Sequence, residues 1–423
     1  MVFSEQSKKD QMLRVHIIPD QLSANNDVTV RIWSPLLPNE IDTTFTISAG
    51  GSKDFALPAN FTVSGTGKSD RTLRIESTDG DVALYAISEA AGPGSCDAFV
   101  VLPEDTLSNK YITTGLKMNN IVSAVSRIVM VATEQVTVIN VTVIHRKEVT
   151  INARGTQVRY APGSTFAVVL GSHEAMQLED DLHHDLSGLL IESSAQQFAV
   201  FSNMHYVTNG DIYGAVEEQL YPVTTWGSDY VFLPDPGDTK SRVVIVPSEK
   251  NTDIYVTNDN ETKIMTIDPA EDDINVELAS LSAVHSSKPI SVAQVIEDSR
   301  STQSVMILLI SLQQFRAEYN FVAFGETVQI AIVVARGEEQ FLKLNDEVIS
   351  GSEWKVVPYF VPVLVSSLIT GLEPASYTLK HTTGSLFGAV VYDQFKTCRT
   401  AYSAGLCLDD ISHVSLLGIT FLF

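Results

Sequence analysis

The sequence predicts an all-β protein with four internal repeats of antiparallel hairpins, arranged as a β-propeller-like closed array. Three observations support this prediction. The apolar segments are short, rich in Val and Ile, and separated by Gly, Asn and Asp, which is the pattern of strands and turns. One pair of strands recurs four times along the chain. No amphipathic helical pattern is present apart from one turn near Ser311 to Phe315.

The recurring pair of strands closes each repeat. Successive copies of its second strand start 92 to 116 residues apart, at Val82, Phe198, Ile290 and Phe387. We expect each copy to be a hairpin, and the first strands of these hairpins are Leu73–Ser77, Leu189–Ser193, Ser282–Ser286 and Tyr377–His381.

A second hairpin is expected to open each repeat, with one further apolar strand between the two hairpins. The expected opening hairpins are Val28–Ile47, Ser126–Val143, Ser241–Val256 and Val328–Leu344. The intermediate strands are Phe55–Val63, Phe166–Leu170, Ile274–Leu278 and Trp354–Phe360.

These boundaries predict one repeat domain over residues 27–410. Its repeats are expected at about 27–97, 98–212, 213–300 and 301–397. Residues 1–26 then form an N-terminal segment, and residues 411–423 form a C-terminal strand or tail.

Two architectures accommodate repeats of this length. Tandem β-sandwiches need about 100 residues and seven strands per unit. A propeller blade needs about 40–50 residues and four strands, so each repeat would supply two blades. Sandwich strands alternate apolar and polar residues, because one face of each sheet meets solvent. Strands such as Val243–Val246 and Ile330–Val334 are instead continuously apolar, which favours burial on both faces and hence the propeller, with tandem sandwiches as the alternative.

The composition excludes several classes of partner. With 28 basic and 51 acidic side chains, the formal net charge is −23, so electrostatic capture of nucleic acid is not expected. The longest apolar runs, Val305–Ile310 and Leu416–Phe423, are far shorter than the roughly 20 residues of a membrane span. The chain is 44% apolar, which predicts a folded protein.

No motif in the sequence indicates a catalytic, cofactor or metal site. Glycine-rich nucleotide fingerprints, nucleophile elbows and zinc-binding helices are absent from the sequence. The acidic, histidine-containing stretch Glu179–Asp185 matches no zinc spacing and is interpreted as a surface loop. We therefore predict a non-enzymatic protein without cofactor or metal. The alternative is a hydrolase or lyase on a propeller channel.

Cysteines and sequons bear on the compartment. Cys398 and Cys407 flank a turn and would form a disulfide across it in an oxidising compartment. Cys96 would then have no cysteine to pair with. The alternative is that Cys398 and Cys407 are two buried thiols. Sequons for N-glycosylation occur at Asn60, Asn140 and Asn260.

Two stretches carry a resemblance to a known family. The first contains Asp185, Leu186 and Gly188, followed by Ile191–Ser193 and Phe198–Phe201. The second contains Glu218, Gln219, Leu220, Pro222, Trp226, Gly227 and Tyr230. Together they resemble the signature of the IgG-Fc-binding protein N-terminal domain family, and the resemblance covers roughly residues 70 to 410.

The resemblance implies a binding domain rather than an enzyme. It indicates an extracellular recognition or adhesion protein whose partner is a protein or a glycan, of the mucin or immunoglobulin kind. It also implies secretion, although Met1–Val15 contains no apolar leader. No ligand contacts follow from the resemblance, and the matched residues are expected to be structural.

Overall fold

The computed structural model describes residues 1–5, 11–19, 26–90, 96–115, 124–144, 148–153, 156–180, 186–208, 211–235, 237, 240–269, 274–278, 280–297, 304–349, 353–358, 362–395, 398–406 and 408–409. The protein is all-β, as predicted. Within these ranges the helical segments are four 3-10 turns, at Glu104–Thr106, Val223–Thr225, Leu312–Gln314 and Glu339–Phe341. No helix in the described ranges is long and apolar enough to cross a membrane.

Repeat 1 forms two antiparallel sheets. Its strands are β1 (Gln11–Pro19), β2 (Val28–Trp33), β3 (Asp42–Ile47), β4 (Lys53–Leu57), β5 (Gly67–Ser69), β6 (Arg74–Thr78), β7 (Val82–Ala90) and β8 (Cys96–Val100). The sheet orders are β3-β2-β6 and β4-β1-β7-β8, while β5 joins a sheet of the second repeat.

Repeat 2 has the same arrangement with an additional hairpin. Its strands are β9 (Lys110–Ile112), β10 (Ala124–Ala132), β11 (Thr137–Val143), β12 (Val149–Ala153), β13 (Thr156–Tyr160), β14 (Thr165–Leu170), β15 (Ala175–Asp180), β16 (Leu189–Ser193), β17 (Phe198–Thr208) and β18 (Asp211–Gln219). The sheet orders are β14-β11-β16-β9 and β18-β17-β10-β15-β5, and β12 pairs with β13.

Repeat 3 is the most regular of the four. Its strands are β19 (Asp229–Phe232), β20 (Lys240–Pro247), β21 (Thr252–Thr257), β22 (Thr262–Ile267), β23 (Ile274–Leu278), β24 (Ser282–Ser286), β25 (Ile290–Glu297) and β26 (Ser304–Leu308). They form two four-stranded sheets, in the orders β19-β24-β21-β22 and β23-β20-β25-β26.

The strands of repeat 4 begin later and end later than its expected bounds of about 301–397, because β26 pairs within repeat 3. The strands of repeat 4 are β27 (Glu318–Ala323), β28 (Thr327–Ala335), β29 (Leu342–Leu344), β30 (Glu347–Val348), β31 (Lys355–Val356), β32 (Leu364–Leu372), β33 (Ala375–His381), β34 (Gly388–Gln394) and β35 (Arg399–Ser403). The sheet orders are β27-β33-β29-β30 and β31-β32-β28-β34-β35.

The expected closing hairpins are not hairpins. In repeat 3, β24 pairs with β19 and β21, whereas β25 pairs with β20 and β26 in the other sheet. The corresponding strands of the other repeats are separated in the same way, and of the expected opening hairpins only β2–β3 is one. A short turn can lead either to the neighbouring strand or across the core, and the apolar pattern is the same in both cases.

The predicted N-terminal segment is part of the first repeat. β1 lies within residues 1–26, yet it pairs with both β4 and β7 and is a central strand of its sheet. Its apolar residues Leu13, Val15 and Ile17 are buried. Residues 411–423, predicted as a C-terminal strand or tail, lie outside the described ranges.

The predicted propeller-like closed array is not confirmed. No closed barrel or propeller occurs in the described part of the chain. A blade would consist of consecutive strands, whereas each four- or five-stranded sheet here combines strands from both ends of a repeat. The alternative hydrolase or lyase activity is tied to a propeller channel, and it stays an untested alternative.

Paired sheets describe repeat 3 better, as in the alternative of tandem sandwiches. Its two sheets contribute buried side chains to one hydrophobic cluster, and these include Ile254 and Val284 from one sheet and Val243 and Val292 from the other. A shared core between two sheets is the defining feature of a β-sandwich.

The continuously apolar strands are buried on both faces, as predicted, but for a different reason. Along β28, Ile330, Ile332 and Val334 alternate with Ala331 and Val333, and all five side chains are buried. Ala331 and Val333 belong to the hydrophobic cluster of repeat 3. This sheet of repeat 4 is therefore covered by its own repeat on one face and by the neighbouring repeat on the other.

The chain divides into two compact units, Met1–Pro222 and Val223–Phe423. Each unit contains two repeats. Inside each unit the last strands of the two repeats contact each other, β8 with β18 in the first unit and β26 with β35 in the second.

Candidate functional site

The first stretch singled out by the sequence belongs to the framework of repeat 2. Leu186 is fully buried, and its backbone N–H donates to the hydroxyl of Ser126 at 3.2 Å. Gly188 has a φ of +72°, in the left-handed region that favours glycine, and its N–H donates to the carbonyl of Thr113. Asp185 lies outside the described residues. These contacts set the start of β16.

The second stretch begins with buried residues at the end of β18. Gln219 accepts a hydrogen bond from the backbone N–H of Leu102 at 2.9 Å through its side-chain oxygen. The N–H of Leu220 donates to the carbonyl of Val200 at 2.8 Å. Glu218 and Pro222 are also buried. None of these four side chains is available to a large partner.

The remaining matched residues form a hydrogen-bonded arrangement that we call the tyrosine latch. Tyr230 lies on the first strand of repeat 3, and its hydroxyl donates to the carbonyl of Ile290 at 2.5 Å. The same hydroxyl accepts from the N–H of Gly227 at 3.3 Å. Since Tyr230 and Ile290 lie in opposite sheets, the latch ties the two sheets together at the entrance to the repeat.

Among the described residues, the latch occurs in repeats 2, 3 and 4. Tyr111 donates to Phe198 in repeat 2 at 2.7 Å, and Tyr319 donates to Phe387 in repeat 4 at 2.6 Å. In each copy the tyrosine hydroxyl also accepts from the N–H three residues before it, and a 3-10 turn lies just upstream. Burial raises the pKa of all three hydroxyls, so they remain donors.

Gly227 is required by a close approach of the chain. A β-carbon at this position would overlap the side chains of Ser311 and Gln313, which belong to the link between repeats 3 and 4. Trp226 beside it is 4% exposed and serves as core. The matched motif is thus a structural element of the repeat.

Sequence reasoning missed an outward-facing row of side chains in repeat 3. Ile264, Tyr255, His285 and Asp229 lie directly opposite one another on the four strands β22, β21, β24 and β19. Ile264 is 65% exposed, whereas Asp229 at the other end is fully buried. We call these four residues the Asp229–Ile264 row.

Hydrogen bonds to the Asp229 carboxylate hold the Asp229–Ile264 row in place. The Asp229 carboxylate contacts the Nδ1 of His285 at 2.7 Å and accepts from the side-chain amide of Gln313 at 2.8 Å. The hydroxyl of Ser228 donates to the same carboxylate at 2.8 Å. The imidazole of His285 in turn packs against the ring of Tyr255, with centroids 5.8 Å apart. The row therefore presents an oriented aromatic and apolar surface.

The equivalent rows of the other repeats have a different chemistry. Position by position, the registers align the row with Thr44, Arg31 and Glu76 in repeat 1, with Ala167, Asn140, Glu192 and Lys110 in repeat 2, and with Val348, Lys343, Lys380 and Glu318 in repeat 4. Each of these three rows carries at least two charged side chains and no aromatic one. Aligning the sequences of the four repeats in this register would have revealed that the row in repeat 3 differs from the other three.

A buried polar cluster lies in the first unit. Arg127, Asn203 and Glu217 are opposite one another on β10, β17 and β18. Arg127 pairs with Glu179 at 2.7 Å, and the Glu217 carboxylate accepts from the backbone and the hydroxyl of Ser4 at 3.1 to 3.2 Å. Asn203 is 2% exposed, and its side-chain amide has no hydrogen-bond partner among the described residues. Such a site suits internal water molecules.

Burial shifts two pKa values in this cluster in opposite senses. It raises the pKa of the Glu217 carboxyl to about 7, because the charged form is poorly solvated there. It lowers the pKa of the His205 imidazole to about 2, and the positive charge of Arg127 adds to this effect. Both groups are therefore neutral in the folded protein at mildly acidic pH.

The predicted cysteine pairing is not the one in the structure. Cys96 and Cys398 are both disulfide-bonded, and Cys407 lies outside the described residues. A bridge between Cys398 and Cys407 would leave Cys96 without a partner, since the chain has three cysteines. The nearness of the two cysteines in the sequence was therefore misleading.

The three sequon asparagines are exposed. Asn140 lies on the outward face of β11, Asn260 lies in the turn between β21 and β22, and Asn60 follows β4. Exposure is a requirement for N-glycosylation, so modification at these positions stays a prediction.

Comparison with known proteins shows to which family the chain belongs. The profile of the family described as IgGFc binding protein matches residues 97–392, which is most of the chain. The chain belongs to the IgGFc-binding family. The match includes repeats 2 and 3 and nearly all of repeat 4, so it contains the three tyrosine latches and the Asp229–Ile264 row.

Other comparisons add little to membership of the IgGFc-binding family. No curated protein matches the chain. Among solved structures, a point mutant of the major pilin from Streptococcus pyogenes is similar at 9% identity, covering 93% of this chain and 99% of the pilin chain. The TM-score is 0.15, and this likeness carries no conclusion about fold or function.

The tyrosine latch should contribute measurably to stability. Substitution Tyr230→Phe removes the hydroxyl but keeps the ring, and leaves the buried carbonyl of Ile290 without this donor. We expect a loss of about 1–3 kcal/mol in the free energy of unfolding, measured by urea denaturation. Tyr111→Phe and Tyr319→Phe should behave alike. Tyr255→Phe, at a half-exposed position, is the control; equal effects at all four positions would contradict the latch.

The pH dependence of stability should separate Glu217 from His205. Glu217 has a folded-state pKa above its ordinary value of 4.5, so acidification from pH 7 to 4.5 stabilises the fold through this group. His205 has a folded-state pKa below its ordinary value of 6.5, so acidification below pH 6.5 destabilises the fold through this group. Between pH 4.5 and 6.5 the two contributions oppose each other.

Two variants test this opposition. Relative to the unmodified chain, Glu217→Gln should lose stability on acidification from pH 6.5 to 4.5, and His205→Gln should gain it, each by roughly 1 kcal/mol per pH unit. Urea unfolding at several pH values measures both slopes. Parallel profiles for all three proteins would show that neither group is shifted.

Proposed function

We propose that this chain is a non-enzymatic extracellular recognition domain that binds a protein partner through the Asp229–Ile264 row of repeat 3. The row is the single observation that carries the proposal. It combines an exposed Ile264 with the aromatic side chains of Tyr255 and His285, whereas each of the equivalent rows in the other repeats carries at least two charged side chains and no aromatic one.

The composition of the row supports contact with a protein. Tyrosine and other aromatic residues are enriched in the centres of protein interfaces, where charged residues are depleted. The hydrogen bonds to Asp229 orient His285 and Tyr255 before any partner arrives. A surface that is already ordered loses less entropy on binding.

Family membership supports the same class of function. The family description names binding to the Fc part of immunoglobulin G. We infer a partner of the immunoglobulin or mucin kind, with the glycan chains of such glycoproteins as the alternative ligand. The net charge of −23 favours partners with basic surfaces and disfavours nucleic acid.

Binding to purified partners tests the proposal. The full chain is immobilised and titrated with immunoglobulin G Fc fragments and with mucins, each in native and deglycosylated form. We expect Ile264→Asp and Tyr255→Ala to weaken binding by tenfold or more, because each removes an interface contact. The matched control is Val348→Asp, which changes the exposed residue at the equivalent position of repeat 4.

The outcomes of this titration discriminate between binding through the Asp229–Ile264 row and recognition of glycans. Equal affinity of the Ile264 variant and the Val348 control would exclude the row as the contact. Binding that disappears on deglycosylation and ignores both variants would assign recognition to glycans instead.

A separate experiment tests whether the protein is secreted. We propose that the protein is secreted, and a disulfide-bonded Cys96 and Cys398 are in keeping with an oxidising compartment. In protein isolated from its natural source, alkylation of these two thiols should require prior reduction. Mass spectrometry should also find glycan on at least one of Asn60, Asn140 and Asn260. Freely alkylated thiols together with three unmodified asparagines would place the protein inside the cell.

A further inference from the structure

Three exposed valines lie close together on the outward face of repeat 2. Val138 on β11 and Val169 on β14 are directly opposite each other. Val136 lies two residues before Val138, which is the spacing of side chains on one face of a strand. The exposed fractions of Val136, Val138 and Val169 are 63%, 47% and 51%. We call these three residues the valine patch.

The corresponding positions in two other repeats are polar. In the register that aligns the rows, the opposed valines correspond to Asp253 and Thr266 in repeat 3, and to Thr29 and Thr46 in repeat 1. In repeat 3 the hydroxyl of Thr266 donates to the carboxylate of Asp253 at 2.6 Å. Polar pairs suit the solvent-facing side of an antiparallel sheet. The valines of repeat 2 are therefore an exception that the sheet itself does not require.

The valine patch borders the free edge of its sheet. β14 is the terminal strand, so one side of its backbone pairs with no other strand in the described part of the chain. Its residues, Thr165–Leu170, include neither a charged residue nor a proline. The edge strands β3 and β22 of repeats 1 and 3 contain Asp42 and Lys263. Charged residues on an edge strand oppose its pairing with another chain, and β14 lacks this protection.

A sequon lies beside the valine patch on the same face. Asn140 is exposed on β11, two residues after Val138, and Thr142 completes the sequon. The residue opposite Asn140 on β14 is the small Ala167. In repeats 1 and 3 the position of Asn140 is held by Arg31 and Tyr255. Of these three repeats, only the one with the exposed valines has a sequon at this position.

We propose that Asn140 carries an N-linked glycan that covers the valine patch and blocks the free edge of β14, so that two copies of the chain do not pair there. The attachment point determines the occupant, because a glycan on Asn140 starts on the same face as the valines and stays tethered beside them. An N-linked glycan is bulky and solubilising. The C–H groups on the faces of its sugar rings pack on the valine methyl groups and remove them from water.

Loss of the glycan exposes a self-complementary surface. Two identical β14 edges pair in antiparallel fashion about a two-fold axis, which joins the sheets of two copies and brings their valine patches together. This inference rests on the secretion proposed above, because N-glycans are added in the secretory pathway. It does not rest on binding through the Asp229–Ile264 row.

The oligomeric state of defined glycoforms tests the proposal. The full chain is secreted from mammalian cells behind a leader peptide, its glycopeptides are identified by mass spectrometry, and its self-association is measured by analytical ultracentrifugation. We expect a glycan on Asn140. Asn140→Gln and Thr142→Ala both destroy the sequon and should strengthen self-association at least tenfold. Thr142→Ser keeps the sequon and should behave as the unmodified chain does.

A double variant separates edge pairing from misfolding. Asn140→Gln combined with Val169→Lys lacks the glycan but places a charge at an exposed position of the edge strand, and should associate as weakly as the glycosylated chain. Asn260→Gln is the matched control, because it removes a sequon in the turn between β21 and β22, and it should leave self-association unchanged.

Each contrary result overturns the proposal. These results are an Asn140 without glycan, unchanged self-association in Asn140→Gln, an equal increase in Asn260→Gln, and a double variant that associates as strongly as Asn140→Gln. Protein from the natural source separates this inference from the proposed secretion. Glycan on Asn60 or Asn260 with none on Asn140 contradicts this inference alone, whereas three unmodified asparagines together with freely alkylated thiols contradict both.

Discussion

The hydroxyl of a buried tyrosine at the start of each of the last three repeats is the interaction on which the rest of the fold depends. Tyr230 joins opposite sheets of repeat 3 by donating to Ile290, and it also stabilises the turn before it by accepting from Gly227. The tyrosine hydroxyl bonds both to the opposite sheet of the repeat and to the turn that precedes the repeat. The position of each repeat's first strand is therefore coupled to the packing of the two sheets in that repeat. Tyr111 and Tyr319 do the same in repeats 2 and 4. The family motif around Trp226 is therefore a folding element, and the partner must be sought on other surfaces.

The local sequence pattern predicts much of the fold. It does not predict which strands pair with each other when they are distant in the sequence. Strand positions and the fourfold repetition can be read from apolar segments and turn residues. Whether β24 and β25 form a hairpin or lie in opposite sheets cannot, because both arrangements bury the same alternate side chains. The continuous apolar run of β28 correctly indicated burial on two faces. It could not indicate what packs against the second face of the sheet, which is a neighbouring repeat and not a propeller blade.

The candidate sites were harder to predict than the fold for a related reason. The residues of the Asp229–Ile264 row are spread over 57 positions of the sequence and meet only through the register of four strands. No local motif contains two of them. Resemblance to the family directed attention to Trp226 and Tyr230 instead, since framework residues form the more compact motif.

The energetics of Asp229 give a reason to regard its row as functional. Its counterparts Lys110 and Glu318 are exposed or half-buried, where a charged side chain is well solvated. Asp229 is fully buried and needs Ser228, His285 and Gln313 to satisfy its carboxylate. Burying a carboxylate costs free energy even when it is well hydrogen-bonded, and an exposed residue in its place would leave the latch and the core of repeat 3 intact. What the buried carboxylate adds is the orientation of His285 and, through it, of Tyr255. Orientation of half-buried side chains contributes little to folding, whereas a surface ordered before a partner arrives loses less entropy on binding, which is in keeping with the proposed recognition role.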